Sequence, residues 1–585
     1  MTPYAESAVS PQTAKKQPTL ELLSRKPSQV SLVPFRVAFW SVGILLASIQ
    51  AWIFRYEVSA DSISYFDMSD GVLHGQDWHR LINGMYSALY PFLLGVFRRT
   101  FHISPGNEIA AAHLFGVVLF VFAFACFEFF LASAVRELDS KAQILGGKLA
   151  SVPLPKWAFV SIAYCVFLWS AIQHISLEIP RADMLLSGFI FLAAGFLLCM
   201  SHQPARWKSY LVFGGILGVG ILAKEAMLPI GLLMLASTLL IVEDWRPALK
   251  MVPVAAALMF LIGCLYFVPL SLQTGHFTLG EAGRSVYTVN VDQASPHWYL
   301  QTLGSAKGSF LHPPQKIFSG PPAYAFPFPF RVTEPLRYDQ SYWLAGVRPH
   351  LALDREAAAI KLSIRTFAKL FRELAVVLGT ILVLAFLCSS KDEVQAALLR
   401  AWPIWLIGLV GCVMYAVIVV EPRYVTAFLT LFCIGILVGL PVPAELGRKI
   451  AQLAVIATVA LLVVPAAHRV YAAHAPQTNE SFEAAQALQR LGIKADDPVA
   501  RIGVGNADLT VERLLRTEIV AEVDKDRGAE FWKAPLATQQ ALLNVFAAQG
   551  VKAVIATSPV LNAANQSEWI HLGSTQYWAW IPARQ

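Results

Sequence analysis

The sequence predicts an all-α polytopic membrane protein with a small C-terminal α/β domain. Three observations predict it. Of 585 residues, 56% are hydrophobic and only 15% charged, whereas soluble domains are nearer a quarter charged. Apolar segments of bilayer-crossing length, roughly 20 residues, recur along the chain. Past about residue 470 the pattern changes to alternating strand-like and helix-like stretches.

The elements follow in chain order. Residues 1–33 are polar and carry Lys15, Lys16, Arg25 and Lys26. They lack the apolar core and small-residue cleavage site of a signal peptide, so they read as a cytoplasmic tail before an uncleaved span. Eleven spans are expected: 34–54, 108–135, 157–175, 183–200, 209–223, 226–242, 251–271, 368–388, 402–420, 424–441 and 450–467. The fifth and sixth are short, and only "AKEA" (223–226) separates them. All seven cysteines fall in apolar segments, which argues against a disulfide framework. The net charge of +7 suits a protein facing anionic lipid and is no nucleic-acid signature.

Lys and Arg in the short loops set the orientation. With the N-terminus in the cytoplasm, the inner loops hold Arg136, Lys141, Lys148, Lys156, Arg206, Lys208, Arg246, Lys250, Lys391, Arg400, Arg448 and Lys449. The short outer loops hold Arg181, Lys224 and Arg423, one each. The expected plan is a membrane domain over 34–470 with large outer loops at 55–107 and 272–367, then an outer α/β domain over 471–585.

Asp61, Asp67, Asp70 and Asp77 crowd the first outer loop. A solvated loop would carry most of them at no bilayer cost, and Asp61 could cap a helix beginning at Ser62. Residues 84–99, "GMYSALYPFLLGVFRR", are short and basic at one end, as in an interfacial helix on the outer surface, with a re-entrant segment as the alternative. Loop 272–367 is rich in Pro, Tyr, Trp and Phe and reads as an ordered cover. In the tail, helices are expected at 481–492 and 536–550, and strands at 498–505, 517–523, 551–557 and 574–582. "GVGN" (503–506) lacks the third glycine of a dinucleotide fingerprint, so that reading is rejected. No paired-carboxylate motif stands in the tail, so residues 476–585 are expected to hold no catalytic residues and to serve, if anything, in docking an acceptor or partner, the membrane part keeping its activity without them.

Four charged clusters fall at outer span ends. They are Asp61 with its neighbours, "EIPRAD" (Glu178, Arg181, Asp183), "AKEA" (Lys224, Glu225) and "EPRY" (Glu421, Arg423, Tyr424). Any one could be a simple cap reaching to headgroups. Together they look like a polar site at the mouth of a helix bundle.

The order "ADSISYFDMSDGVLHG", "NGMYSALYPFLLGVF", "EIPRADMLLSGFIFLAAGF", "GILAKEAMLP", "EPRYVTAFLTL" resembles the polytopic C-type glycosyltransferases (GT-C). Within them it is nearest the protein O-mannosyltransferase and aminoarabinose-transferase group, as an uncharacterised bacterial branch. The resemblance spans about residues 34–440. Many members carry an Asp-Glu pair where this chain has Asp61-Ser62, and a Thr-Lys where it has Ala223-Lys224. The resemblance implies a GT-C-like helix bundle in the bacterial inner membrane with its C-terminal domain in the periplasm. It also implies a polyprenyl-phosphate-sugar donor and a glycan, lipid or protein acceptor. Transfer with inversion needs a base for the acceptor hydroxyl and cations for the leaving phosphate. Asp61 stands at the family's base position, and Lys224 and Arg423 are candidates for the phosphate. Tyr65, Glu178, Arg181, Asp183, Glu225, Glu421 and Tyr424 are supporting candidates. No cofactor is required; a divalent metal is left open, with Asp61, Glu178 and Asp183 as possible oxygen donors. A lipid-linked glycan ligase or polymerase, and a secondary transporter, are the alternatives.

Overall fold

The structure is a computed structural model. It describes residues 31–74, 77–145, 151–201, 205–242, 244–297, 300–387, 395, 398, 399, 401–443, 447–473, 480–505, 508–557 and 568–582. The N-terminal tail up to residue 30, Lys148, Cys388, Lys391, Arg400 and Asn506 lie outside them.

Nine helices open the chain: α1 (Val33–Ile53), α2 (Ala60–His74), α3 (Leu89–Thr100), α4 (Glu108–Leu145), α5 (Lys156–Leu168), α6 (Asp183–Met200), α7 (Trp207–Ala223), α8 (Met227–Ile241) and α9 (Trp245–Thr274). Seven helices of the described chain are long and apolar enough to cross a bilayer. They are α1, α4, α5 with its continuation to Ile175, α6, α9, Pro422–Gly439 and Arg448–Ala472. The protein is therefore a multi-pass membrane protein. One bent pair makes an eighth if it is one span, and the other three expected spans fall on shorter apolar helices, α7, α8 and Trp402–Ala416, which do not reach that length. The six described cysteines are free.

The bent pair, Leu353–Glu373 and Ala375–Leu387, meets at 74°. The span expected from residue 368 thus starts only at Ala375. The helix before it carries Asp354, Arg355, Lys361 and Arg365 on one side and exposes Leu353, Ile360, Ile364 and Phe371 on another. That amphipathic pattern is the one expected of an interfacial helix. The segment expected to be interfacial, 84–99, does something else. Its helix, α3, begins only at Leu89 and packs on α2. Arg98 near its end is fully buried, held by Asp70 and Glu108, so this cation points inward, whereas Arg99 beside it stays exposed.

Small residues let neighbouring helices close up. A Cβ at Gly408 would stand 2.5 Å from the Phe428 carbonyl oxygen, and one at Gly435 2.6 Å from the Trp405 nitrogen. This close hairpin of Trp402–Ala416 with Pro422–Gly439 fixes where the second helix starts, and so where Arg423 stands.

Seven strands form a mixed sheet: β1 (Gln315–Ser319), β2 (Pro322–Ala325), β3 (Pro498–Ile502), β4 (Glu518–Val523), β5 (Ala553–Thr557), β6 (Ile570–His571) and β7 (Tyr577–Trp580). Their order is β6-β7-β5-β3-β4-β2-β1. β3 pairs parallel to both β4 and β5, and the other pairings are antiparallel. The helices expected in the tail run Glu480–Arg490 and Leu536–Ala548. β1 and β2 come from the 272–367 loop. That loop is thus stitched into the tail's sheet, through Tyr324 opposite Glu522 and Ala325 opposite Ala521.

Candidate active site

The segment ahead of α2 is fixed first. Ring nitrogens of His113, on α4, lie 2.9 Å from the carbonyl oxygens of Glu57 and Leu177. Ser59 then caps α2. Its hydroxyl accepts from the Ser62 N–H at 3.3 Å, and the Ser62 hydroxyl accepts from the Ser59 N–H at 3.3 Å. This reciprocal pair follows the logic of a capping box. The capping role considered for Asp61 belongs to Ser59, because the helix starts at Ala60. Asp61 lies in the first turn with its side chain free for other partners. Its Oδ1 accepts from the Tyr86 hydroxyl at 2.9 Å, and its Oδ2 stands 3.7 Å from Arg423 Nη2.

Arg423 and Lys224 arrive from helix ends remote in sequence. Lys224 follows the last residue of α7 and donates to Asp183 Oδ1 at 2.7 Å. Arg423 opens Pro422–Gly439 and reaches Asp183 Oδ2 at 3.4 Å. It also donates to Glu421 at 2.6 Å and to the Tyr424 hydroxyl at 2.9 Å. Both cations lie over the Tyr424 ring, 4.0 and 4.7 Å from its centre, within cation–π range. The span ends bearing Asp61, Asp183, Lys224 and Arg423 therefore meet at one end of the bundle. The two aspartates differ. The Asp183 side chain is 6% exposed and bridges both cations. The Asp61 side chain is 37% exposed and touches one.

The other predicted residues divide. Tyr65 is buried and packs on Tyr86 and Tyr90, with ring centres 4.9 and 4.7 Å away. Arg181 is close enough to act on Asp183 electrostatically. Glu225 accepts from the Gly283 N–H at 2.6 Å; burial pushes its carboxyl up to about 7, against the pull of the Gly283 and Ala282 backbone. Glu178 is not with the rest: it pairs with Arg469 at 3.1 Å and accepts from Gln50. Tyr86 was missed by sequence reasoning, although it stands in the quoted "NGMYSALYPF"; nothing local distinguishes it from the neighbouring tyrosines. Burial, and then Asp61, hold its phenol well above the ordinary range, so it stays a donor. Tyr415, stacked on Tyr424 at 5.3 Å, was missed too.

Among the described residues, the group whose ligand atoms could share an ion is His297, Glu522 and Asp524, within 4.8 Å of one another. It includes none of Asp61, Glu178 or Asp183.

Asp67 and Asp70, expected as solvated, are inside α2 and 3% and 5% exposed. Arg513, from the tail helix Thr510–Leu515, donates to both, at 2.6 and 2.8 Å, and to Glu108 at 2.7 Å. Arg98 completes the cluster. Buried carboxylates need such partners, and theirs come from α3 and from the tail. Asp77, unlike Asp67 and Asp70, stays near the surface, paired with Arg80 at 2.9 Å.

No family model matches the chain, and no curated protein matches it. Among solved structures it is similar to ArnT from Cupriavidus metallidurans bound to undecaprenyl phosphate. The identity is 14% over 94% of this chain and 98% of that one, with a TM-score of 0.42. It is also similar to the Archaeoglobus fulgidus oligosaccharyltransferase tethered with an acceptor peptide, at 10% identity over 89% and 69% of the two chains and a TM-score of 0.45. At such scores the likeness does not extend to chemistry.

Proposed function

We propose that this protein is a C-type membrane glycosyltransferase. In this reading it moves a sugar, with inversion, from a polyprenyl-phosphate donor to an acceptor on the periplasmic side of the inner membrane. The observation that carries the reading is the division of labour between two aspartates. Asp183 is buried and holds Lys224 and Arg423 together. Asp61 is the accessible carboxylate beside them.

The chemistry follows from that division. An ammonium has three N–H donors and a guanidinium five, and neither Lys224 nor Arg423 exhausts its donors on the partners named above. Two preset cations beside a lipid phosphate would stabilise the charge that develops as the sugar departs. Asp61, steadied by Tyr86, would take the proton of the acceptor hydroxyl. No nucleotide and no covalent intermediate are needed. A secondary transporter keeps its charges near the midplane, whereas these groups sit at helix ends.

Purified protein given a polyprenyl-phosphate sugar and a candidate acceptor tests the reading. Release of polyprenyl phosphate that depends on the acceptor supports it. Absence of turnover across donor sugars, with the lipid still bound, opposes it.

A further inference from the structure

We propose that the C-terminal domain holds a saccharide-binding site, in the cavity between its sheet and the segment that leads into α2. It would take a neutral or amino-bearing sugar unit of the acceptor.

Topology makes the place. The chain leaves β3, passes through Thr510–Leu515 to β4 on one side, and returns by Leu536–Ala548 to β5 on the other side. The two connections therefore part at the carboxyl end of β3. In open α/β sheets, ligands settle in the crevice outside the carboxyl ends of the strands at such a point. A cavity of about 510 Å³ lies there, within the ~300–1,000 Å³ of small-molecule sites. Gly503 follows β3, Lys525 lies just past β4, Thr557 ends β5, and all three line the cavity. Gly503 has φ 70°, a left-handed turn that glycine makes without strain. Two residues on, Gly505 faces the Lys525 side chain, which would stand 3.6 Å from a Cβ there, an ordinary contact.

The lining selects the chemistry. Among the described residues that line the cavity, Glu57, Glu480 and Asp508 stand against one cation, Lys525. A phosphate or nucleotide would meet an excess of negative charge, so the nucleotide reading of "GVGN" fails on charge as well as on motif. Hydroxyl groups suit this wall: carboxylates are acceptors only, and bonds to ionised acceptors are the stronger kind. The Tyr577 hydroxyl donates to Asp508 at 2.5 Å and holds that carboxylate in one orientation. Tyr56 and Phe482, edge to face at 5.5 Å, add an apolar wall. Carboxylates beside aromatic rings match the hydroxyl edges and C–H faces of a sugar ring. An amino group on the sugar would pair with the surplus carboxylate charge.

The cavity adjoins the candidate active site through the chain itself. Glu57 lies four residues before Asp61, so their α-carbons are at most about 14 Å apart. That the bound sugar belongs to an acceptor rests on the proposed transfer reaction; its binding does not.

Its test measures binding without any donor lipid, so it can fail while transfer stands, or succeed while transfer fails. Full-length protein in detergent is titrated, by calorimetry or saturation-transfer NMR, with four probes: maltotriose, a glucosamine trimer, an N-acetylglucosamine trimer and inorganic phosphate. We expect at least one trisaccharide to bind and phosphate not to. Asp508→Asn and Glu480→Gln should each weaken that binding about tenfold, as the loss of a hydrogen bond to a charged group does. Three results would overturn the proposal: no trisaccharide bound at millimolar concentration, phosphate bound alone, or sugar binding that survives both variants. Unchanged thermal unfolding of the two variants separates lost binding from lost folding.

Discussion

Arg513 donates to Asp67 at 2.6 Å across 446 positions of sequence. The same guanidinium holds Asp70 and Glu108, and all of these side chains are nearly inaccessible to water. A tail residue is thus keyed into α2, the helix that carries Asp61. The tail thus has a structural role in the membrane part, whatever catalysis it lacks. Removing residues 476–585 would take away the guanidinium that three buried carboxylates share, leaving Arg98 to Asp70 and Glu108 and Thr333 to Asp67.

Arg513→Met should therefore destabilise the protein by about 3–5 kcal/mol, the usual cost of stranding buried charge. Arg513→Lys should recover part of it. Thermal unfolding in detergent measures this, and an unchanged midpoint for Arg513→Met would contradict the assigned role. Acid should act in the same direction. Burial alone would raise the Asp70 carboxyl, but Arg513 and Arg98 outweigh it and hold it below the usual range. A depressed carboxylate contributes stability that is present above its unfolded pKa and lost as pH falls through the folded one.

Glu225 carries the opposite sign. Its folded value is about 7 against an ordinary 4.5, so in that window the folded chain keeps a proton the unfolded chain has released. Stability then falls as pH rises through the window. Glu225→Gln removes the titration. The apparent Tm of the wild type should drop more between pH 5 and pH 8 than that of the variant, two values chosen to span the window. Parallel profiles would show that Glu225 is ionised in the fold.

Tyr86 is assigned a positioning role for Asp61. Tyr86→Phe deletes a hydrogen bond to a carboxylate, a contact worth about 1.5–3 kcal/mol. Turnover should fall by about tenfold or more, with KM for the donor unchanged. A change in KM alone would move Tyr86 from the base to the donor.

Lys224 and Arg423 should behave as donor ligands. Lys224→Ala and Arg423→Lys should each weaken binding of polyprenyl phosphate, because Arg423 uses its planar fork on several partners and Lys cannot replace it. Lipid-binding titrations check this. Wild-type affinity in both variants would remove the cations from the phosphate site.

Much of this was legible in the sequence for a physical reason. Apolar length marks spans, short loops hold Asp183, Lys224 and Arg423 near span ends, and Asp61 follows the first span closely, so the four could be grouped without coordinates. Glu178 was grouped on the same evidence yet faces Arg469, because nearness to a span end does not set side-chain direction. Asp67 and Asp70 looked solvated because their partner, Arg513, is encoded more than 440 residues away. The entry of β1 and β2 into the tail's sheet was hidden likewise, since strand partners are chosen by non-local packing.

The most direct measurement of the central claim is the turnover of Asp61→Asn. Ser59, not Asp61, caps α2, so the variant should fold and reach the membrane in normal amount. Lys224 and Arg423 remain, so it should still bind a polyprenyl-phosphate donor. Loss of a general base costs about a hundredfold or more in rate. The account predicts wild-type donor binding with transfer reduced by at least that factor; transfer at a near wild-type rate would contradict it.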